Sequence, residues 1–296
     1  MKTLVIGDTH LKQKQILPRV DAAIAAYDAQ RVVFLGDYCD DWGASDSFAL
    51  ESLHAFADWV AERRGQGLAV DAVLGNHDMR YLMEEDGPGT QWGIMEKVHE
   101  ILDGLGIVMA AEANGYLLTH AGVTSSWADD NFDLAAWDAA HASAANAARL
   151  LNEMFADPAR WRDLDTCGAA RGGFEVAGPL WADKRELAMD FLPGVNQIVG
   201  HTPVFTCERL KLWPRHSSGM RMWHASNGRE GVRAGDDSVT PIVWACDTFS
   251  LTSMLAPIGD GSMLLVDDAG AVEVVDYATL GEGAWHDDAY VYYMTR

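Results

Sequence analysis

Asp8, His10, Asp37, Asn76, His120 and His201 are the residues whose types could together do the most chemistry. They sit in short polar stretches: Gly7-Asp8-Thr9-His10, Gly36-Asp37-Tyr38-Cys39-Asp40, Gly75-Asn76-His77-Asp78, Thr119-His120 and Gly200-His201. Carboxylate, imidazole and amide oxygen form a donor set for Mn, Fe or Zn. Two carboxylates gathered in a partly buried cleft repel each other by about 4 kcal/mol at an effective dielectric of roughly 20. Divalent cations remove that repulsion. One carboxylate can bridge two ions about 3.5–4 Å apart, an arrangement suited to metal-assisted phosphoryl hydrolysis.

The elements that must position these groups follow from the hydrophobic pattern. Residues 4–6 are a short apolar run that reads as a buried strand, 31–35 read as a second buried strand and 70–74 as a third, each delivering one polar stretch at its C-terminal end. Between them the pattern predicts helices over about 14–27 and 45–64, the second capped by Ser45 or Ser47. Strand, polar turn and helix repeated in this way give an α/β fold with a parallel core sheet, and such sheets build their sites beyond the strands' carboxyl ends. Further on, a helix is expected over 94–105, and strands over 107–110 and 115–119, the latter delivering His120. A long Ala-rich helix is expected over 133–155, and a strand over 195–199 that ends before Gly200-His201. The rest reads as mostly β, with strands at 242–245, 263–266 and 272–275 and an inserted loop or hairpin around 211–240. No repeat or linker divides the chain, so residues 1–296 read as a single domain.

With 44 acidic and 22 Lys or Arg residues, the net charge is −22. That field repels nucleic acid, so non-specific binding to it is not expected. A phosphate substrate then needs a local reversal of sign, which bound cations provide. The four cysteines form no C-x-x-C pair, and the apolar run at the N-terminus is too short for a signal peptide. No stretch reaches the length of a membrane span, so a cytoplasmic protein is expected. His141, His216 and His224 read as solvated, as do Arg215, Arg221, Arg229 and Arg233. Trp42, near the site, reads as a packing residue rather than one that stacks on a base.

Taken singly, each polar stretch could do no more than cap a helix. Taken in order, together with His120-Ala121-Gly122 and Gly200-His201-Thr202-Pro203, they resemble the signature of the calcineurin-like metallophosphoesterases. Within that superfamily they resemble the branch of phosphoprotein phosphatases and symmetrical diadenosine tetraphosphatases. Trp244-Ala-Cys-Asp247-Thr248 is similar to a strand of that branch, with Phe249 where glycine would stand. The resemblance implies a β-sandwich flanked by helices in α-β-β-α layers. It also implies two divalent ions, one held by Asp8, His10 and Asp37 and the other by Asp37, Asn76, His120 and His201, with Asp37 shared. His77 would be the general acid, oriented by Asp40. The expected activity is phosphomonoester hydrolysis, hydroxide formed between the ions attacking phosphorus in line. A dinucleoside polyphosphate or another phosphoanhydride, or a nucleotide phosphodiester, is the alternative substrate, and a non-enzymatic scaffold has no use for the full set. The sequence departs from the branch at Leu11, where glycine is usual, and at Asp41-Trp42, where Arg-Gly is usual. Asp41 should therefore point away from the site. The phosphate-gripping arginine must come from elsewhere, Arg171 being favoured over Arg80.

Overall fold

A computed structural model describes residues 1–133, 136–137, 142–213, 220–224, 230–234 and 240–295, and of 220–224 and 230–234 only the backbone. The strands are β1 (Thr3–Ile6), β2 (Arg31–Phe34), β3 (Ala69–Ala72), β4 (Ala111–Ala113), β5 (Tyr116–Thr119), β6 (Asn196–Pro203), β7 (Glu208–Arg209), β8 (Met220–His224), β9 (Glu230–Ala234), β10 (Val243–Asp247), β11 (Met263–Val266) and β12 (Val272–Val275). The α-helices are α1 (Gln13–Tyr27), α2 (Asp46–Gly65), α3 (Asn76–Met83), α4 (Met95–Leu105), α5 (Ser125–Asn131), α6 (Ala144–Phe155), α7 (Trp161–Leu164), α8 (Lys184–Met189) and α9 (Trp285–Thr295).

Two mixed five-stranded sheets face each other. The first runs β12-β11-β1-β2-β3 and the second β4-β5-β6-β10-β7. β1, β2 and β3 are parallel, as are β5, β6 and β10, so their carboxyl ends gather the polar stretches. Alternation along the strands decides what each face meets. Leu4, Ile6, Val32 and Phe34 pack under the helices with Val20, Phe56, Leu102 and Trp285. Val5, Val33 and Leu35 turn the other way and meet Tyr116, Leu118 and Ile198 of the second sheet. The far side of the second sheet, through Val199 and Ala245, is covered by Leu187 of α8 and by Ala177 and Ala182 of the loop before it. Helix, sheet, sheet and helix are thus stacked as the α-β-β-α layers require. Fully burying each large aliphatic side chain contributes about 1.5–3 kcal/mol.

Three of the expected elements differ from the pattern, and the stretch read as mostly β also ends in a helix, α9. The strand expected over 107–110 lies instead at β4, because the Asn152 amide takes up the backbone of Met109 and Ala110. Its Oδ1 accepts from both N–H groups at 2.8 and 3.2 Å, and its Nδ2 donates to the Ala110 carbonyl at 2.8 Å. The long helix expected over 133–155 begins only at Ala144, where Ser143 Oγ accepts from Asn146 N. Residues 134–135 and 138–141 of that expectation, His141 included, lie outside the described residues. The strand expected to stop at Val199 continues to Pro203. Its pairing with β10 slips there, from Ala245–Val199 to Asp247–Pro203, so that β6 bulges around His201.

Within the segment around 211–240, β8 and β9 pair antiparallel as a separate ribbon. Arg215, His216 and Arg229 lie outside the described residues, and so do the side chains of Arg221, His224 and Arg233. Among the described residues no helix is long and apolar enough to cross a membrane.

Candidate metal centre

Asp37 is the hub of the cleft. Its Oδ2 lies 3.5 Å from His10 Nε2 and 3.5 Å from His120 Nε2. Its Oδ1 accepts from the His77 backbone N–H at 3.0 Å. The turn that carries it is left-handed, with φ of 53° at Asp37 and 63° at Asp40. Asp78, wholly buried at the start of α3, holds that turn with one carboxylate. It accepts from the N–H groups of Asp37, Tyr38, Cys39 and Gly75 at 2.8–3.1 Å. Gly75 allows the approach, for a Cβ there would lie 2.2 Å from Asp37 Oδ1.

The imidazoles are aimed by their second nitrogens. His10 Nδ1 faces the carbonyls of Asp40 at 3.0 Å and Cys39 at 3.3 Å, and His120 Nδ1 faces the Leu35 carbonyl at 2.8 Å. Carbonyls accept only, so both rings carry their proton on Nδ1 and turn the Nε2 lone pair inward. His120 Nε2 then meets Asn76 Oδ1 at 2.8 Å and His201 Nδ1 at 3.0 Å. The bulge in β6 turns His201 into this group at φ 60°, and His201 Nε2 is buried with no hydrogen-bond partner. Bulges re-aim side chains in this way beside active sites. Electron-rich atoms of His120, Asn76, His201 and Asp37 therefore converge with too few protons to share, and a cation would satisfy them together. Among the described residues two close groups of possible ligand atoms result, His10–Asp37–His77 and Asp37–His120–His201, each within 4.8 Å. Asp8 stands in neither. Its carboxylate accepts from the His201 N–H at 3.0 Å and lies 3.9 Å from His120 Nδ1.

The electrostatics also call for positive charge. Burial, with Asp247 and Asp37 close by, holds the Asp8 carboxyl well above the usual carboxylate range. Asp247, at the end of β10, is pushed up to about 6, chiefly by burial. One of its oxygens accepts from Ser250 Oγ, while the other is buried without a partner. Burial would raise Asp37 too, but the rings of His120, His77, His10 and His201 outweigh it and hold it low. Burial lowers His10 to about 4 and depresses His120 and His201. His77 goes the other way. Burial acts to lower it, yet Asp37 and the bonded Asp40 prevail and hold it up at about 9. Its Nδ1 lies 3.1 Å from Asp40 Oδ2, and its ring meets His10 edge-on at 5.1 Å.

The sequence profile described as calcineurin-like phosphoesterase matches residues 1–205. The chain belongs to that family. It is a metal-dependent phosphoester hydrolase by membership, and its family uses a dimetal centre. Solved structures similar to it include a cold-active protein tyrosine phosphatase, 18% identical over 95% of this chain and 80% of that one, with a TM-score of 0.50. The cold-active protein-tyrosine phosphatase of a psychrophilic Shewanella species is 17% identical over 93% and 80%, with a TM-score of 0.49. A protein serine/threonine phosphatase from Saccharomyces cerevisiae is 13% identical over 93% and 80%, with a TM-score of 0.44. The first of these shows likeness of fold. No curated protein matches the sequence.

Around this phosphoesterase centre the two arginines differ. Arg80 is tied to Asp165 and lies 3.5 Å from Glu85. Arg171 lies against the cleft, its Nη2 donating to the His201 carbonyl at 3.2 Å and to Thr202 Oγ1 at 2.8 Å, with Asp183 3.3 Å from its Nε. Asp41 turns to the C-terminal helix, where it accepts from the Tyr292 hydroxyl. Trp42 is 62% exposed, so the packing role expected for it is wrong. Sequence reasoning missed Tyr81, whose hydroxyl donates to Asp40 Oδ1 at 2.5 Å. Its position five residues after Asn76, on one face of a helix with Asp78, was the available signal. The clamp role of Asp78 was also missed.

Proposed function

We propose that this phosphoesterase hydrolyses phosphate monoesters with two divalent ions held by Asp8, His10, Asp37, Asn76, His120 and His201, Asp37 being shared. The observation that carries the reading is one carboxylate oxygen 3.5 Å from two inward-facing imidazole nitrogens, with the His77–Asp40 pair beside them. Bound there, the ions supply Lewis acidity for the phosphoryl oxygens and a nucleophilic water at neutral pH.

The chain's own residues do the rest. Asp40 holds His77 by Nδ1, so Nε2 is the atom left to donate a proton to the leaving oxygen. Surrounding carboxylates keep His77 protonated, and cations beside Asp37 would bring its pKa down towards the working range. Tyr81 fixes Asp40 in turn. Both arginines face carboxylates, Arg171 that of Asp183 and Arg80 those of Asp165 and Glu85, but Arg171 also bonds the carbonyl of His201 itself and is therefore the better placed of the two to meet phosphate oxygens. Free thiols at Cys39, Cys167, Cys207 and Cys246 are consistent with a reduced, cytoplasmic setting.

A panel of substrates presented to Mn-, Fe-, Zn- and Mg-loaded protein tests this reading by phosphate release. Aryl and alkyl monoesters and phosphopeptides should be cleaved. Turnover of dinucleoside polyphosphates or diesters alone would replace the monoesterase reading.

A further inference from the structure

His10 and Leu11 stand consecutively at φ 39° and 60°. For L-residues other than glycine, left-handed backbone costs about 1–2 kcal/mol each. Leu11 offsets this by burying its side chain completely in the core. The turn is also pinned by backbone bonds, His10 N to the Asp37 carbonyl at 2.7 Å and Leu11 N to the Tyr38 carbonyl at 3.1 Å. Ser52 Oγ donates to the Leu11 carbonyl at 2.6 Å. The remaining carbonyl, that of His10, accepts from Lys12 Nζ at 3.0 Å.

Lys12 is an unusual donor, for only 1% of it is exposed. A buried ammonium is costly unless it is paired. Among its companions are Asp41, 3.9 Å away, and the Tyr292 ring, whose centre lies 5.5 Å from Nζ. The Tyr292 hydroxyl closes the circuit by donating to Asp41 Oδ2 at 2.7 Å. Tyr292 belongs to α9, which lies beyond the residues the family profile matches. α9 is itself anchored: Trp285, Ala289 and Tyr292 are buried, and Arg19 of α1 pairs with Asp288 at 3.2 Å.

We propose that Lys12, Asp41 and Tyr292 form a latch through which the C-terminal helix fixes the His10 turn, and with it one half of the metal centre. These are positioning residues: Lys12 reaches the proposed ligand His10 through its backbone carbonyl, and Asp41 and Tyr292 act through Lys12. The latch rests on the proposed function, since it matters to the centre only if His10 holds an ion. It gives Asp41 a task at the position where the resemblance expected an arginine.

Calorimetric titration with Mn²⁺ tests it on full-length protein, alongside the melting temperature without metal. Wild type should show two classes of site. Lys12→Met should weaken one class about 10-fold or more and leave the other within about 2-fold. Tyr292→Phe, which removes one hydroxyl and keeps the buried ring, should weaken the same class about 3-fold and leave the other class unchanged, with a fall of only a few degrees in the metal-free melting temperature. Equal affinities in wild type and both variants would overturn the latch and leave the proposed function standing. So would equal weakening of both classes together with a lower metal-free melting temperature, which is the mark of a merely structural role. Absence of Mn²⁺ binding by wild type would overturn the proposed function, and the latch with it.

Discussion

The two sheets build their halves of the centre differently. On the first sheet, His10, Asp37 and Asp40 stand on left-handed turns beyond the strand ends, half-held by side chains from elsewhere in the sequence. On the second, His120 follows directly on β5 and His201 sits within β6 itself, both rings buried against strand neighbours. The first half is built from loops that need supports, the second from strands that supply them. Substitutions that remove a support should therefore act mainly on the His10–Asp37–His77 side, while those in the strands should act through folding.

The largest effect is expected at the residue both halves share. Asp37→Ala should abolish binding of both ions and reduce phosphate release to background, as read by elemental analysis and a monoester assay. Retention of one full equivalent would separate the halves. Next is the support beneath Asp37. Asp78→Ala leaves four buried N–H groups without their acceptor and should destabilise the fold by about 2–4 kcal/mol, measured by denaturant unfolding. An effect below about 1 kcal/mol would show that water or Asp37 can replace it.

His77→Asn should lower kcat on an alkyl phosphate by about 10²–10⁴, and by less on nitrophenyl phosphate, whose leaving group needs no proton. Metal content should stay at the wild-type level. Equal losses on both substrates would assign His77 to the metals, as its place in a close ligand group allows. Arg171→Ala should raise KM about 10-fold with metal retained, whereas Arg80→Ala should mainly lower stability through its loss to Asp165. If neither changes kcat/KM, phosphate is held without a guanidinium. The smallest effect belongs to Tyr81→Phe, which removes one hydrogen bond to Asp40 and should reduce kcat about 3- to 10-fold.

The difference between the halves also explains what could be read in the sequence. β1 is buried along its whole length, β2 beyond Arg31, and β3 at Val70 and Ala72, and each is followed within three residues by a glycine and then the polar residue, so strand and polar residue were visible together. Ser45 caps α2 as its chemistry suggests. Where a distant side chain decides the outcome, local pattern fails. Asn152 diverts residues 109–110 from a ladder, and β10 imposes the bulge at His201. Tyr81 and Asp78 act on loops about 40 residues earlier in the chain (|i−j| of 41 for both), and no local period encodes that. Tyr292 reaches Asp41 across 251 residues.

The central claim is that the Asp37 carboxylate is shared between two ions. Electron paramagnetic resonance of protein loaded with two equivalents of Mn²⁺ tests it most directly. Ions about 3.5–4 Å apart across a common carboxylate couple magnetically. The account predicts a spin-coupled dimanganese spectrum that Asp37→Ala eliminates. Two equivalents of bound Mn²⁺ giving only the six-line signal of isolated ions would contradict it.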